Sequence, residues 1–317
     1  MSRTVSFVLT LLAATFLMGS SFVAGKILVA AGYPPMVLVG WRFLVAALAT
    51  LPLVAIYEGS LGQALIPAGL SARDAALVAV IGLFQTAGVM SLLFYSMRTI
   101  SASSAAILLF TNPIWVALMG RLFLGEALFG RRIVGLLLGI AGVVLAIGAG
   151  PGALVGDGVE IGEATGLASA FCWSISTIIN KRARLRIGTW ALTFWQMLIG
   201  SLLVLAVAYA MGQHWPDATT PAHWGWFFYL SIPASTGSFG LWFVALSQGG
   251  ATRTSSYLFL APLFAVICSF LVLDTALTWP QALGGLLIGG AVWLVNRELP
   301  RPGSRECVRT ALAEGEP

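Results

Sequence analysis

Ten stretches of about 20 residues, nearly free of charge, follow one another along this chain: 5–31, 35–57, 74–97, 102–124, 130–149, 160–180, 188–211, 223–247, 252–273 and 278–296. A bilayer core about 30 Å thick takes about 20 apolar residues per helix. Within it every backbone N–H and C=O must find its partner inside the protein, which leaves helices or a closed barrel. A barrel strand would alternate polar and apolar positions, and these runs do not. Composition closes the remaining alternatives. Hydrophobic residues make up 58% of the chain and charged residues 9%, with mean hydropathy +0.92. A soluble domain carries about a quarter charged residues. The composition excludes a soluble enzyme, a disordered chain and a secreted disulfide scaffold, and the predicted class is an all-α polytopic membrane protein.

Breakers and polar residues fall between the runs: Tyr33-Pro34-Pro35, Glu58-Gly59-Ser60, Gly150-Pro151-Gly152 and Pro216-Asp217. The first run is too long for a signal-peptide core and carries Lys26 near its end, so it reads as a retained helix. Cys172 and Cys268 lie within apolar runs and Cys307 in the polar tail, a pattern with no disulfide framework and no metal-ligand spacing. The net charge of +5 is that of basic residues held on cytoplasmic loops, and no nucleic-acid partner is expected. With the N-terminus inside, fourteen basic residues fall on inner segments: Arg3, Arg73, Arg121, Arg131, Arg132, Lys181, Arg182, Arg184, Arg186, Arg253, Arg297, Arg301, Arg305 and Arg309. Only Lys26 and Arg98 fall outside. Both termini are therefore expected in the cytoplasm.

The chain also repeats itself. At a shift of 149 residues Phe94 meets Phe243, Phe110 meets Phe259, Pro113 meets Pro262 and Gly135 meets Gly284. Nearer the start the shift is about 155: Phe16 meets Phe171, Ser21 meets Ser176 and Lys26 meets Lys181, while Trp41-Arg42 meets Trp195-Gln196 at 154. Five spans per half is an odd number, so the halves are predicted to be inserted upside down relative to each other, the arrangement of many secondary transporters. The expected units are 1–150, 151–299 and a polar tail 300–317.

FLMGSSFVAGK in the first span, WRFLVAAL in the second, and the stretch from FYSM through TNPIW and LGEAL to GLLLGIAGVVL resemble the EamA-type transporters of the drug/metabolite transporter superfamily. The resemblance covers about residues 5–296. It departs in two places: Asp274 stands opposite Glu126, and Ala261 opposite Asn112. It implies ten-helix bacterial inner-membrane exporters of amino acids, related metabolites or toxic compounds.

Arg42 is the one full charge well within a span, roughly 10 Å deep at 1.5 Å per residue. Such a cation is costly in hydrocarbon. It reads either as a guanidinium clamp for a carboxylate or phosphate or as a structural group bonding backbone carbonyls. Lys26 and Lys181 end equivalent helices, as snorkelling charges or as mouth charges. Pro113 and Pro262 each free a carbonyl four residues back, that of Leu109 and Leu258. They read as kinks in helices lining a cavity, or as packing geometry alone. Candidate cavity groups are Ser21, Gln85, Asn112, Ser176, Gln196, Ser238 and Ser255, with Trp41, Trp173, Trp242 and Tyr257 as apolar lining. The pairs Gly135/Gly139 and Gly285/Gly289 read as close helix packing, within the bundle or in a dimer.

No Asp or Glu lies deep in a span, so a proton carrier is not evident. His214 and His223 flank an outer loop. The chain has no phosphate-binding loop, no H-E-x-x-H and no nucleophile elbow, so neither a cofactor nor an enzyme is expected. The reading is an alternating-access carrier, monomer or homodimer. Spans one to four and six to nine would surround a central cavity, with the fifth and tenth as support. Its expected cargo is amino acids or aromatic and amphipathic compounds, and a lipid or isoprenoid-phosphate flippase of the same fold is the alternative.

Overall fold

With no water in hydrocarbon to take up backbone groups, apolar runs of this length must close their own hydrogen bonds, and they do so as helices. The computed structural model describes residues 3–96, 99, 102–146, 161–183, 185–273 and 278–296, and no strand is found among them. The expected tail, Arg98, Asp274 and the junction between the halves at 147–160 lie outside the described residues.

The helices in chain order are α1 (Arg3–Ala30), α2 (Pro35–Glu58), the short α3 (Leu61–Leu65), α4 (Ala72–Gly82), α5 (Val89–Ser96), α6 (Ala102–Leu109), α7 (Asn112–Leu124) and α8 (Gly130–Ala146). They continue with α9 (Ile161–Ala183), α10 (Thr189–Ala210), α11 (Pro221–Ser231), α12 (Ser238–Gln248), α13 (Ala251–Ser256), α14 (Leu260–Leu273) and α15 (Trp279–Asn296). Seven helical runs among the described residues are long and apolar enough to cross a membrane: Val5–Ala30, Pro35–Glu58, Ala72–Ser96, Ala105–Leu124, Thr189–Ala210, Pro221–Gln248 and Ala251–Val272. Helices α8, α9 and α15 pack among them. Leu122, Leu271 and Leu286 are 68%, 69% and 74% exposed, an apolar perimeter suited to lipid and unsuited to water.

Local chemistry sets the ends. Ser71 caps α4 by accepting from the Asp74 amide at 3.0 Å, and Thr220 caps α11 by accepting from the His223 amide at 3.2 Å. Pro35 and Pro221 sit in first turns, where a missing N–H does no harm. Gly125 ends α7 at φ 67°, a left-handed conformation that favours glycine, and turns the following Glu126 back across the bundle end.

Four irregularities shape the interior. Residues Leu83–Gly88 between α4 and α5, and Ile232–Gly237 between α11 and α12, form π-helical turns beginning 149 residues apart. A π turn widens the helix by one residue and leaves local carbonyls and hydroxyls free to bond elsewhere. At Phe110 and Thr111 the chain leaves α6 and restarts as α7 with Pro113 in its first turn. The Thr111 hydroxyl bonds the Leu108 carbonyl at 2.6 Å. In the second half Tyr257–Phe259 is a 3₁₀ turn leading into α14, with Pro262 just inside.

The two most extensive helix pairs are α8 with α15 and α2 with α10. Along α8, a Cβ added at Gly135 would stand 2.8 Å from Val295, and Gly139 lies against the Phe259 ring. On α15 the expected Gly285/Gly289 pair does not form the contact with α8. Gly285 faces Leu263 of α14, and Gly289 faces open space with nothing within 4 Å of an added Cβ. The close approach passes instead through Gly284, whose added Cβ would stand 2.5 Å from the Ala146 nitrogen and 2.6 Å from the Gly142 oxygen. The face of a helix is set by its rotation in the bundle, which a four-residue spacing does not specify.

Candidate functional site

The two π turns project their polar side chains into neighbouring helices. In the first, Gln85 accepts from the Ser176 hydroxyl on α9, and Thr86 donates to the Gln196 carbonyl oxygen on α10 at 2.7 Å. In the second, Ser235 accepts from the Arg42 Nε at 2.5 Å, and Thr236 donates to the Ala46 carbonyl at 2.7 Å, both on α2. A polar residue of α10 therefore meets the first π turn, and a polar residue of α2 meets the second. Gln196 and Arg42 are the pair that the sequence repeat matches.

Arg42 also places an NH2 group 3.5 Å from the Ala234 carbonyl and lies 4.9 Å from the centre of the Phe43 ring. Among the described residues no carboxylate pairs with it. One terminal nitrogen, Nη1, makes no hydrogen bond to any of them. The guanidinium is anchored at one edge and retains donors at the other, a geometry that can still receive an anionic or carbonyl oxygen.

The seam continues from Gln85 through Ser176 to Trp173, one turn away on α9. The Trp173 ring meets Trp242 of α12 edge-on, with centroids 6.3 Å apart. Asn112, beside the α6/α7 break, donates to Ser174 at 3.0 Å and to the Ala170 carbonyl at 3.2 Å. Along this line Gln85 Nε2, Gln196 Nε2, Asn112 Oδ1 and the indole nitrogens of Trp173 and Trp242 are buried without a hydrogen-bond partner. Rotating either glutamine amide exchanges a donor for an acceptor and still leaves one group unpaired. Most buried polar groups in folded proteins are paired. A line of unsatisfied, uncharged ones that includes two tryptophans in edge contact offers donors and an acceptor that a small polar molecule could use.

The sequence candidates divide on this geometry. Gln85, Asn112, Trp173, Ser176, Gln196 and Trp242 lie along the seam, and Arg42 meets the second π turn. Ser238 heads α12 and bonds back to Ala234 at 2.7 Å. Ser21 bonds its own helix at Met18, Ser255 bonds its own helix at Thr252, and Trp41 donates to the Tyr209 hydroxyl at 3.1 Å. Tyr257 lines a separate groove of about 420 Å³ with Val8, Leu12, Leu260, Gly289 and Asn296. Sequence reasoning passed over Thr86, Ser174, Ser235 and Thr236. Small hydroxyl residues recur in membrane helices, and only the phase of a π turn shows which of them point across.

The model of the EamA-like transporter family matches this chain twice, over residues 5–148 and 160–297. The chain belongs to the EamA-like transporter family. It is therefore related to multi-pass membrane transporters. An uncharacterized transporter of Archaeoglobus fulgidus is 28% identical over 203 residues, covering 64% of this chain and 70% of that protein. The uncharacterized transporter YoaV of Bacillus subtilis is 24% identical over 289 residues, covering 90% and 94%. A chloroplastic WAT1-related protein of Arabidopsis thaliana is 28% identical over 294 residues, covering 89% and 67%. The fold matches a crystal structure at a TM-score of 0.77 and 19% identity, covering 93% of this chain and 97% of that one.

Proposed function

We propose that this EamA-family protein is an alternating-access carrier of a bacterial cytoplasmic membrane, with ten crossings arranged as two inverted five-helix repeats. In this reading it exports small metabolites, foremost amino acids or aromatic and amphipathic compounds. The observation that carries the reading is the reciprocal bonding of the two π turns. The first half's turn bonds α10, the second half's turn bonds α2, and the unsatisfied groups of Gln85, Asn112, Trp173, Gln196 and Trp242 lie on the line between the halves. Two halves that grip each other through equivalent elements can rock about that line and expose it to either side in turn.

The substrate path would run along the seam, with the two indoles packing an apolar group, Gln85 and Gln196 orienting a polar one, and Arg42 receiving a carboxylate. Pro113 and Pro262 would let the interrupted helices bend. The glycine face of α8 is used within the bundle, so a homodimer would need another surface. The test is uptake of labelled amino acids into liposomes holding the purified protein, without an ion gradient. Saturable uptake, accelerated by the same compound preloaded on the far side, is expected. Arg42→Gln should abolish uptake of substrates with a carboxylate while leaving the folded protein in normal yield. Equal loss for substrates lacking an anionic group, or loss of the fold, would reject the clamp.

The second reading is a lipid or isoprenoid-phosphate flippase. The groove between α1, α14 and α15 favours it, since its rim residues Gly289 and Trp293 are exposed on the perimeter. Movement of a labelled lipid between leaflets, with no uptake of soluble compounds, would select it.

A further inference from the structure

Three charged side chains at one end of the bundle each close the end of a helix they do not belong to. Helix α10 begins after Gly188, and α13, which runs on into α14, begins after Gly250. Neither glycine has a side chain to cap the amides that every helix start leaves open. Glu58, the last residue of α2, takes that place on α10: its two oxygens accept from the Trp190 and Ala191 amides at 2.7 and 3.1 Å. Glu126, just past α7, does the same for α13, accepting from the Ala251 and Thr252 amides at 2.6 and 3.0 Å. Lys181, near the end of α9, donates to the Leu246 carbonyl at 2.8 Å at the closing turn of α12. Carboxylates at helix starts and an ammonium at a helix end are the signs the helix dipole favours.

Glycine at the two caps is part of the fit. A Cβ at Gly188 would collide with the Glu58 carboxyl group, and one at Gly250 would stand 3.1 Å from a Glu126 oxygen. Glu126 is also close enough to Lys181 to act on its charge. Both carboxylates come from the first half of the sequence and both receiving helices from the second. All of them lie at the end that the distribution of Arg and Lys assigns to the cytoplasm.

Among the described residues the opposite end is built differently. There α11 is capped by its own Thr220, and α2 begins at Pro34-Pro35 with no side-chain cap. Lys26, the repeat mate of Lys181, is exposed and makes no hydrogen bond among the described residues. Among those residues no side chain of one half caps a helix of the other at this end.

We infer that Glu58 and Glu126 are the inner gate of the transport cycle: they latch the first half onto the amide ends of α10 and α13, hold the cytoplasmic side shut, and must release for the seam to open inward. The assignment rests on the alternating-access reading and adds to it the residues that set which side is open. They are positioning residues, since neither reaches the seam.

The test uses the full chain with Cys172, Cys268 and Cys307 replaced by serine, reconstituted in nanodiscs. One reporter cysteine is placed at a time, at Thr193→Cys on α10 near the latched end or at Ser231→Cys on α11 toward the other. Both positions are fully buried. A water-soluble maleimide then reads which side is open. With the carboxylates intact the inner reporter should be protected relative to the outer one. With Glu58→Gln and Glu126→Gln together, the inner reporter should react at least about tenfold faster and the outer one more slowly, the shift expected when charge-assisted bonds to one state are lost. Each single substitution should give a smaller shift in the same direction. Faster reaction at both reporters, with a broadened gel-filtration peak, would mean loosened structure and overturn the gate. Unchanged reporters would overturn it as well. If each reporter of the unsubstituted protein, in its own preparation, reacts at the full rate of an exposed cysteine, the pathway is open throughout and the alternating-access reading itself fails, independently of the latch.

Discussion

At Gln196 one side chain carries two opposite demands. Its carbonyl oxygen takes the Thr86 hydroxyl at 2.7 Å, tying α10 to the first π turn, while its amide nitrogen is buried with no partner. Hydrogen bonds between membrane helices average about 0.6 kcal/mol by double-mutant cycles, and an unmet buried donor offsets a gain of that size. The residue is therefore expected to be nearly neutral for stability, and on the proposed reading its free nitrogen serves the substrate. Gln196→Leu should leave the melting transition in detergent within about 1 kcal/mol of the unsubstituted protein and reduce saturable uptake about tenfold or more. Intact uptake with lowered stability would assign the residue to packing. Thr86 is the sequence-invisible half of this pair. A threonine among apolar residues carries no signal of its own, and its direction depends on the extra residue the π turn inserts.

Between elements, the same logic separates glycines that look alike in sequence. Gly284 and Gly289 lie on one helix, yet an alanine methyl at Gly284 would meet the backbone of α8, which cannot yield as a flexible side chain would. At Gly289 it would meet nothing within 4 Å. Gly284→Ala should lower stability by about 1–3 kcal/mol, the usual cost of overpacking. Gly289→Ala should be neutral or stabilising by up to about 1 kcal/mol, from helix propensity. Thermal unfolding of the two variants side by side checks the contrast, and equal effects would mean that α8 and α15 are not in backbone contact. The glycine-rich character of both helices was legible in the sequence, but not that they pair with each other. The rotation that brings Gly284 rather than Gly289 to the seam was not, because a helix with apolar residues all round has no polar face to orient it. The buried Gln and Asn residues of the candidate site were legible for the opposite reason, since polar side chains in hydrocarbon-length runs are rare enough to be noticed singly.

For the molecule as a whole, the orientation expected from charge outside the spans can be checked apart from any transport assay. With the native cysteines replaced, Thr219→Cys in the α10–α11 loop should react with an impermeant maleimide in intact cells. Gln63→Cys on α3 should react only after the membrane is permeabilised. The reverse pattern would invert the orientation, and with it the side on which Glu58 and Glu126 close the bundle. The relation between the halves is read from matched residues at shifts of 149 to 155. By itself the sequence determined that the chain is helical, that it lives in lipid, and that a few amide side chains such as Gln85, Asn112 and Gln196 lie within its apolar runs. Hydrocarbon permits only self-satisfied backbone, so run length and composition suffice for those conclusions. The tertiary structure alone decided which polar residues meet. It brought Thr86 to Gln196, Arg42 to Ser235, and two carboxylates to the amide ends of helices more than a hundred residues away. Those contacts depend on the rotation and crossing of apolar helices, which lipid does not dictate and only packing between helices can set.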